Sequence, residues 1–201
     1  MKPVLTELHR DLILELFPDE DAESPREWDN LGKMITWHRR YNLGDKHEFS
    51  SPETFEKMAR SFKWLTLPLY LYDHSGLTMS TDGGRYPFND RWDAGQVGYI
   101  YCTPKAGKKE YGVGWVEKAR ECMKGEVKAY DQFLQGHVYG YVISREVECE
   151  KCQHTEKEVL DSCWGFLGYD YALVEARGAA QYQAGQLQKE EVKADDVQEL
   201  S

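Results

Sequence analysis

Apolar side chains follow two periods along the chain, and each period predicts one type of element. From 138 to 147, valine and glycine alternate with tyrosine and isoleucine, which is the period of a half-buried strand. Phe55, Met58 and Phe62 recur at the spacing of one helix face, after a Ser51-Pro52 start,. Such patterns predict strands at 65–72, 76–80, 96–102, 138–147 and 159–167, and helices at 52–62, 113–134 and 169–188.

The first fifty residues carry weaker signals. The run 12–17 is apolar apart from Glu15, and fits either a buried strand or the end of a short helix. Ser24-Pro25-Arg26-Glu27 has the form of a capping box with proline at the first helical position,. It therefore predicts a helix start at Pro25.

These elements predict an α+β fold. We expect a mainly antiparallel sheet of about five strands, with about three helices covering one face. The order strand 96–102, helix, strand 138–147 also allows one parallel pair through a right-handed crossover. We predict a single domain over 1–188 and an acidic, flexible C-terminal tail over 189–201.

Composition limits the function classes. The 201 residues are 41% hydrophobic, with 7 Phe, 6 Trp and 13 Tyr, enough for a folded core,. A net charge of −10 disfavours direct binding to nucleic acid or anionic lipid,. No apolar run reaches the length of a signal segment or a membrane span, and the 5 cysteines are an odd number,. We expect a cytoplasmic protein with reduced thiols and no membrane association.

A Cys149-x-x-Cys152 pair on a predicted hairpin is the sharpest local motif. Two such thiolates can bind structural zinc, with His154 or Cys163 completing the shell. The spacing to His154 is short and a second C-x-x-C is absent, so a plain hairpin with two reduced thiols is the favoured interpretation. No cofactor is required by the sequence, and zinc is the alternative.

Two further constellations contain tryptophan beside charged residues. Around the segment 28–45, His38, Asp45 and the nearby His47 suggest a metal or acid–base site,. The favoured interpretation makes Trp28 and Trp37 core anchors and pairs Arg39 or Arg40 with Asp29 or Asp45,. The other constellation places Asp93 beside Trp92 and Asp161 beside Trp164 at strand ends.

If those strands are neighbours, Asp93 and Asp161 could frame one groove and, with His38, act as a metal-assisted hydrolase on nucleotides or nucleic acid. The favoured interpretation is turn-forming aspartates with core tryptophans. No phosphate-binding loop, dinucleotide fingerprint, zinc-protease or nucleophile-elbow motif occurs,.

The chain resembles a family of small phage and mobile-element proteins. The resemblance rests on SPREWDNLG at 24–32, WHRRYNLGD at 37–45, WDAGQVGYI at 92–100 and LDSCWGF at 160–166. It covers most of residues 10–170 and leaves the Cys149–Cys152 hairpin outside the shared pattern. It implies a genetic context in which small acidic inhibitors of host defence, of the anti-CRISPR or antirestriction type, are frequent.

We therefore expect a non-enzymatic inhibitor that binds a host defence protein at its nucleic-acid site, in the host cytoplasm. Acidic side chains would meet the lysines and arginines of that site, and exposed aromatic side chains would anchor the contact. The expected binding residues are Asp19, Glu20, Asp21, Glu23, Trp28, Asp29, Arg39, Arg40, Trp92 and Trp164.

Overall fold

The chain folds into two compact units, each with its own sheet and its own hydrophobic core. The computed structural model describes residues 1–148 and 155–199, the last ten of these by their backbone alone. The terminal unit comprises Met1–Ala22 and Gly136–Ser201, and the central unit comprises Glu23–Gln135. The single-domain prediction stays a prediction, because a compact unit with its own core need not fold independently.

The described residues form eight strands, four helices and one short 3-10 helix at Pro25–Glu27. In chain order these are β1 (Leu5–His9), β2 (Leu12–Pro18), β3 (Lys33–Thr36), α1 (Pro52–Ser61), β4 (Leu65–Asp73), β5 (Leu77–Ser80), β6 (Ala94–Cys102), α2 (Pro104–Tyr111), α3 (Trp115–Leu134), β7 (Val138–Glu148), β8 (Thr155–Leu167) and α4 (Tyr169–Glu199).

Helix α4 covers one face of the terminal sheet, whose strand order is β1-β2-β7-β8. Every neighbouring pair is antiparallel, and Leu14 lies opposite Ile143. Four fully buried or nearly buried alanines, four residues apart along α4, face this sheet,. Because alanine is short, the helix backbone approaches the sheet closely. These residues are Ala172, Ala176, Ala180 and Ala184.

The central sheet has the order β3-β6-β4-β5, again antiparallel throughout, and is covered on both faces. On one face, α3 buries Met123 and Val127 against Leu69 and Ile100. On the other face, α1 buries Phe55 among aromatic side chains. Each fully buried side chain of this size contributes roughly 1.5–3 kcal/mol, so both faces stabilise the unit.

The α+β class and the antiparallel pairing are confirmed, but the strands sort into two sheets of four. Strands β6 and β7 lie in different sheets, so the parallel pair suggested by the crossover does not form. The run 12–17 is a strand rather than a helix end. Helix α4 continues past residue 188, so the backbone of the predicted tail is helical to Glu199.

The capping signals gave mixed outcomes. At α1 the prediction is confirmed, since the Ser51 hydroxyl accepts a hydrogen bond from the Thr54 amide. Ser24 also caps, but only the 3-10 helix Pro25–Glu27 follows. No helix in the described part of the chain is both long and apolar enough to cross a membrane.

Candidate functional site

A buried ion network organises the first two distinctive motifs. The Arg26 guanidinium donates through Nε and Nη2 to both carboxylate oxygens of Asp45, at 3.0 and 2.8 Å, and through Nη2 to the Gly32 carbonyl. Its Nη1 lies 3.4 Å from a Glu126 carboxylate oxygen. The side chain of Arg26 is only 4% exposed. Such a buried charge is tolerated because it is paired bidentately.

The two carboxylates of this network also fix the backbone. Glu126 accepts hydrogen bonds from the amides of Leu31 and Gly32, and Asp45 accepts one from the Met34 amide. Burial works to lower the pKa of Arg26, but Asp45 and Glu126 outweigh it and raise that pKa overall. The network therefore has a structural role. From the sequence, Arg39 or Arg40 was expected to pair with Asp45, and Arg26 was not considered.

The predicted pairing of Arg39 or Arg40 with Asp29 or Asp45 is wrong. Arg26 takes Asp45, and Arg40 pairs with Asp73. Trp37 is half-buried and donates to the Phe49 carbonyl at 3.1 Å, as a core anchor should. Trp28 is instead 48% exposed, and Asp29 beside it is exposed as well.

Three loops of the central unit meet at one end of its sheet, here called the loop end and comprising 37–43, 73–76 and 81–93. The Tyr41 hydroxyl reaches the Asp73 carboxylate at 3.4 Å, and the Asp73 amide donates to the Asp93 carbonyl at 2.8 Å. The His74 ring nitrogen Nδ1 lies 3.0 Å from the Asp93 carboxylate. The structure thus joins residues that the sequence placed in two separate constellations.

His38 is held as part of this scaffold. Its ring stacks on Tyr41, with centroids 5.1 Å apart and planes 6° from parallel. Its Nδ1 accepts from the amides of Arg40 and Tyr41 at 3.4 and 3.3 Å. These contacts make His38 part of the local structure that holds the backbone of 38–41.

The groove predicted between Asp93 and Asp161 does not rest on neighbouring strands, because β6 and β8 belong to different sheets. Asp93 and His38 lie in the central unit, whereas Asp161 lies in the terminal unit. There the Asp161 carboxylate accepts from the Tyr141 hydroxyl at 3.5 Å. Burial, and then the Asp161 charge, raise the pKa of Tyr141 to about 12.

The other trio suggested by the sequence, His38, His47 and Asp45, does not come together as a group of metal ligands. Asp45 is committed to Arg26, and His47 Nε2 lies 2.9 Å from the Thr36 carbonyl. Among the described residues no group of three potential metal ligands occurs. Cys149, Cys152 and His154 lie outside the described residues, and Cys163 is exposed on β8.

Trp92, for which the sequence left both a core position and an exposed binding role open, is 93% exposed. Hydrogen bonds within the loop hold the backbone that carries Trp92. The Asp90 carboxylate accepts from the amides of Trp92 and Asp93 at 2.8 and 3.0 Å. Tyr86 in the same loop is 76% exposed, and its hydrogen bond with Tyr72 is the main cause that raises the pKa of Tyr72. The loop end therefore presents aromatic side chains on an ordered backbone.

The predicted acidic residues differ in what they do. The Asp19 carboxylate accepts from the Gly165 amide at 3.0 Å, which ties the end of β2 to β8. Trp164 lies over Gly140, where an added Cβ would come within 2.2 Å of the indole ring. Glu20, Asp21 and Glu23 are exposed and make no ion pair with any described residue.

Charge is divided unevenly between the two units. Assigning the sequence to the units gives the terminal unit 8 Lys and Arg against 19 Asp and Glu, a net charge of −11. The central unit has 17 Lys and Arg against 16 Asp and Glu, a net charge of +1. The excess negative charge of the chain is thus a property of the terminal unit alone.

Within the described residues, three of the 8 lysines and arginines of the terminal unit form ion pairs with its acids. Arg145 pairs with Glu158, Lys157 with Glu15 and Arg177 with Glu7. Further acids are exposed and make no ion pair within the described residues. They include Glu20, Asp21, Glu146, Glu148 and Glu156.

Comparison with known proteins found no match for this chain. No protein-family model matches the chain. No curated protein and no solved structure matches it either.

Proposed function

We propose that this chain is a non-enzymatic inhibitor that binds a nucleic-acid-handling protein of host defence in the host cytoplasm, of the anti-CRISPR or antirestriction type. The observation that supports this best is the concentration of charge, with −11 on the terminal unit and +1 on the central unit. Clefts that bind DNA or RNA are lined with lysine and arginine. A folded unit of strongly negative charge complements such a cleft and is steered toward it.

The placement of the carboxylates supports the same function. Glu146 and Glu148 project from β7, and Glu156 projects from the paired strand β8. Because these residues lie on a hydrogen-bonded ladder, their backbone is ordered before binding, and less conformational entropy is lost on association. Glu20 and Asp21 add exposed charge just after β2.

Capture on the immobilised full chain from a host-cell lysate tests this function. We expect the captured protein to bind nucleic acid, and we expect its nucleic acid to compete with this chain. The double variant Glu20→Gln/Asp21→Asn should weaken capture, and Asp19 is left intact because it holds Gly165. A captured protein without a nucleic-acid site, or capture unaffected by competing nucleic acid, would contradict the proposal.

The hydrolase alternative has its own test. Turnover of nucleotides or nucleic acid with divalent metals, lost in Asp93→Asn or Asp161→Asn while the fold is retained, would replace the inhibitor proposal by an enzyme. Because the proposed inhibitor acts by binding alone, we expect no such turnover.

The proposed function does not require zinc, and structural zinc at Cys149 and Cys152 is a separate prediction. If zinc is bound, purified protein should contain about one equivalent, and chelation should lower the melting temperature because metal binding contributes to folding. A Cys149→Ser/Cys152→Ser variant that melts like the parent, with no metal found, would leave a hairpin with two thiols.

A further inference from the structure

The loop end of the central unit displays an aromatic side chain that the fold itself does not use. Trp92 is 93% exposed, whereas its backbone is held by the Asp90 carboxylate and, through Asp93, by the start of β6. A tryptophan carries a large apolar surface, and its burial at an interface is a frequent source of binding energy. An ordered loop that presents one to solvent is arranged as an anchor.

The charged residues of the loop end fall into two groups, those that have a partner within the loop end and those that have none among the described residues. All four acids of the loop end are engaged within it: Asp73 by Arg40, Asp93 by His74, Asp90 by two backbone amides and Asp82 by the Gly84 amide. Arg39 and Arg91, by contrast, are exposed and have no hydrogen-bond or ion-pair partner among the described residues. The charged groups of this surface that have no partner among the described residues are therefore guanidinium donors.

We propose that the loop end is a second docking surface, which receives a protein face carrying an apolar recess bordered by carboxylates. Trp92 would fill the recess, and Arg91 and Arg39 would donate to the carboxylates, for which the planar guanidinium is well shaped. The loop end belongs to the central unit and offers positively charged donors, whereas the exposed acids Glu20, Asp21, Glu146, Glu148 and Glu156 belong to the terminal unit. This second docking surface goes beyond the proposed function and does not depend on it.

Electrostatics favour a protein over a nucleic acid as the occupant. The loop end contains four aspartates as well as Arg39 and Arg91, and the central unit carries a net charge of only +1. A phosphate backbone needs a row of uncompensated cations. A carboxylate-bordered recess needs only the local donors that Arg39 and Arg91 provide.

The test selects ligands from a displayed library of random peptides on the full chain and counter-selects them on the Trp92→Ala variant. We expect the retained peptides to combine aspartate or glutamate with large aliphatic or aromatic residues. Their affinity should fall at least about tenfold on Trp92→Ala and about threefold or more on Arg91→Gln. Trp28→Ala, which removes the other exposed tryptophan of the central unit, should leave it unchanged.

Several outcomes would overturn the proposal. These are the absence of any Trp92-dependent peptide, a selected set without acidic residues, and binding of a single-stranded oligothymidine that is lost in Trp92→Ala. The last result would make the loop end a stacking surface for nucleobases. The Glu146→Gln/Glu148→Gln variant of the terminal unit should not change peptide binding, so failure here is distinguishable from failure of the proposed inhibitor function.

Discussion

Arg26 carries its charge in a largely buried environment. Its side chain is 4% exposed, and those of its partners Asp45 and Glu126 are 14% and 10% exposed. Arg26→Ala would leave two carboxylates beside each other with no cation, and we expect a loss of about 3–5 kcal/mol in the free energy of unfolding. Urea unfolding of the variant and the parent measures this difference.

Arg60→Ala is the matched control for that experiment. Arg60 also pairs with a glutamate, Glu56, but its side chain is 78% exposed. Since exposed pairs contribute little, this variant should stay within about 1 kcal/mol of the parent. If Arg26→Ala were as stable as Arg60→Ala, the buried ion pairs of Arg26 would not contribute to the free energy of unfolding.

Tyr141 predicts a pH dependence at alkaline pH. Its pKa is raised from 10.0 to about 12, chiefly by burial. Between those values the folded chain keeps the phenolic proton that the unfolded chain has lost, so the free energy of unfolding falls as pH rises. Tyr141→Phe removes this contribution.

Urea unfolding at about pH 9 and about pH 11 checks the alkaline effect. The parent should lose more stability between the two than Tyr141→Phe does. Tyr111, whose pKa also stands at about 12 through its hydrogen bond with Cys122, is present in both proteins and cancels in the comparison. Equal losses would show that Tyr141 ionises as it would in water.

At the scale of the element, the alanine face of α4 sets how closely that helix lies on the terminal sheet. Ala180 is fully buried, so Ala180→Leu would introduce a larger side chain into a packed space. We expect a loss of about 1–3 kcal/mol in the free energy of unfolding. Gly178→Ala, on the same helix with open space around an added Cβ, should instead gain up to about 1 kcal/mol. Thermal melts of both variants show whether the two effects have opposite signs.

Local signals predicted elements where they were strong and complete. The helix predicted at 113–134 is α3, which buries Ala119, Met123 and Val127. Helix α2 was not among the predicted helices, although Thr103-Pro104 carries the same cap-plus-proline start as α1. Strand β3 was not predicted either, because its adjacent residues Met34 and Ile35 are both buried and show no alternation.

Partner choice among strands was beyond the sequence because it depends on contacts between distant residues. Strand β2 pairs with β7 although residues 23–135 separate the two strands in the sequence. Leu16 lies opposite Tyr141. An alternating pattern says that a strand has one buried face, but not which strand lies beside it. One sheet of about five strands was therefore expected where two sheets of four occur.

The candidate site shows the same limit. Residues such as His38, Arg40, Trp92 and Asp93 were identified from the sequence as unusual, but in separate groups. They meet through Asp73 and its neighbour His74, in the turn that leaves β4. The sequence left Trp92 with two interpretations, a core side chain and an exposed binding residue, because the side chain is large and apolar and its burial depends on tertiary contacts.

At the scale of the whole molecule, we propose that the terminal unit binds a basic cleft through its negative charge. The direct measurement is the affinity of the captured partner for the full chain as a function of salt concentration. It compares the parent with Glu146→Gln/Glu148→Gln in the terminal unit and with Glu48→Gln/Glu110→Gln in the central unit. Both doubles remove two exposed carboxylates, so they change the net charge of the chain equally.

We expect the parent's affinity to fall at least about tenfold between about 50 and 200 mM salt, because screening shortens the reach of the terminal unit's field. The terminal-unit double should bind more weakly at low salt and show a shallower salt dependence, while the central-unit double should follow the parent. Affinity that does not change with salt, or two doubles that weaken binding equally, would contradict the assignment of binding to the acidic terminal unit.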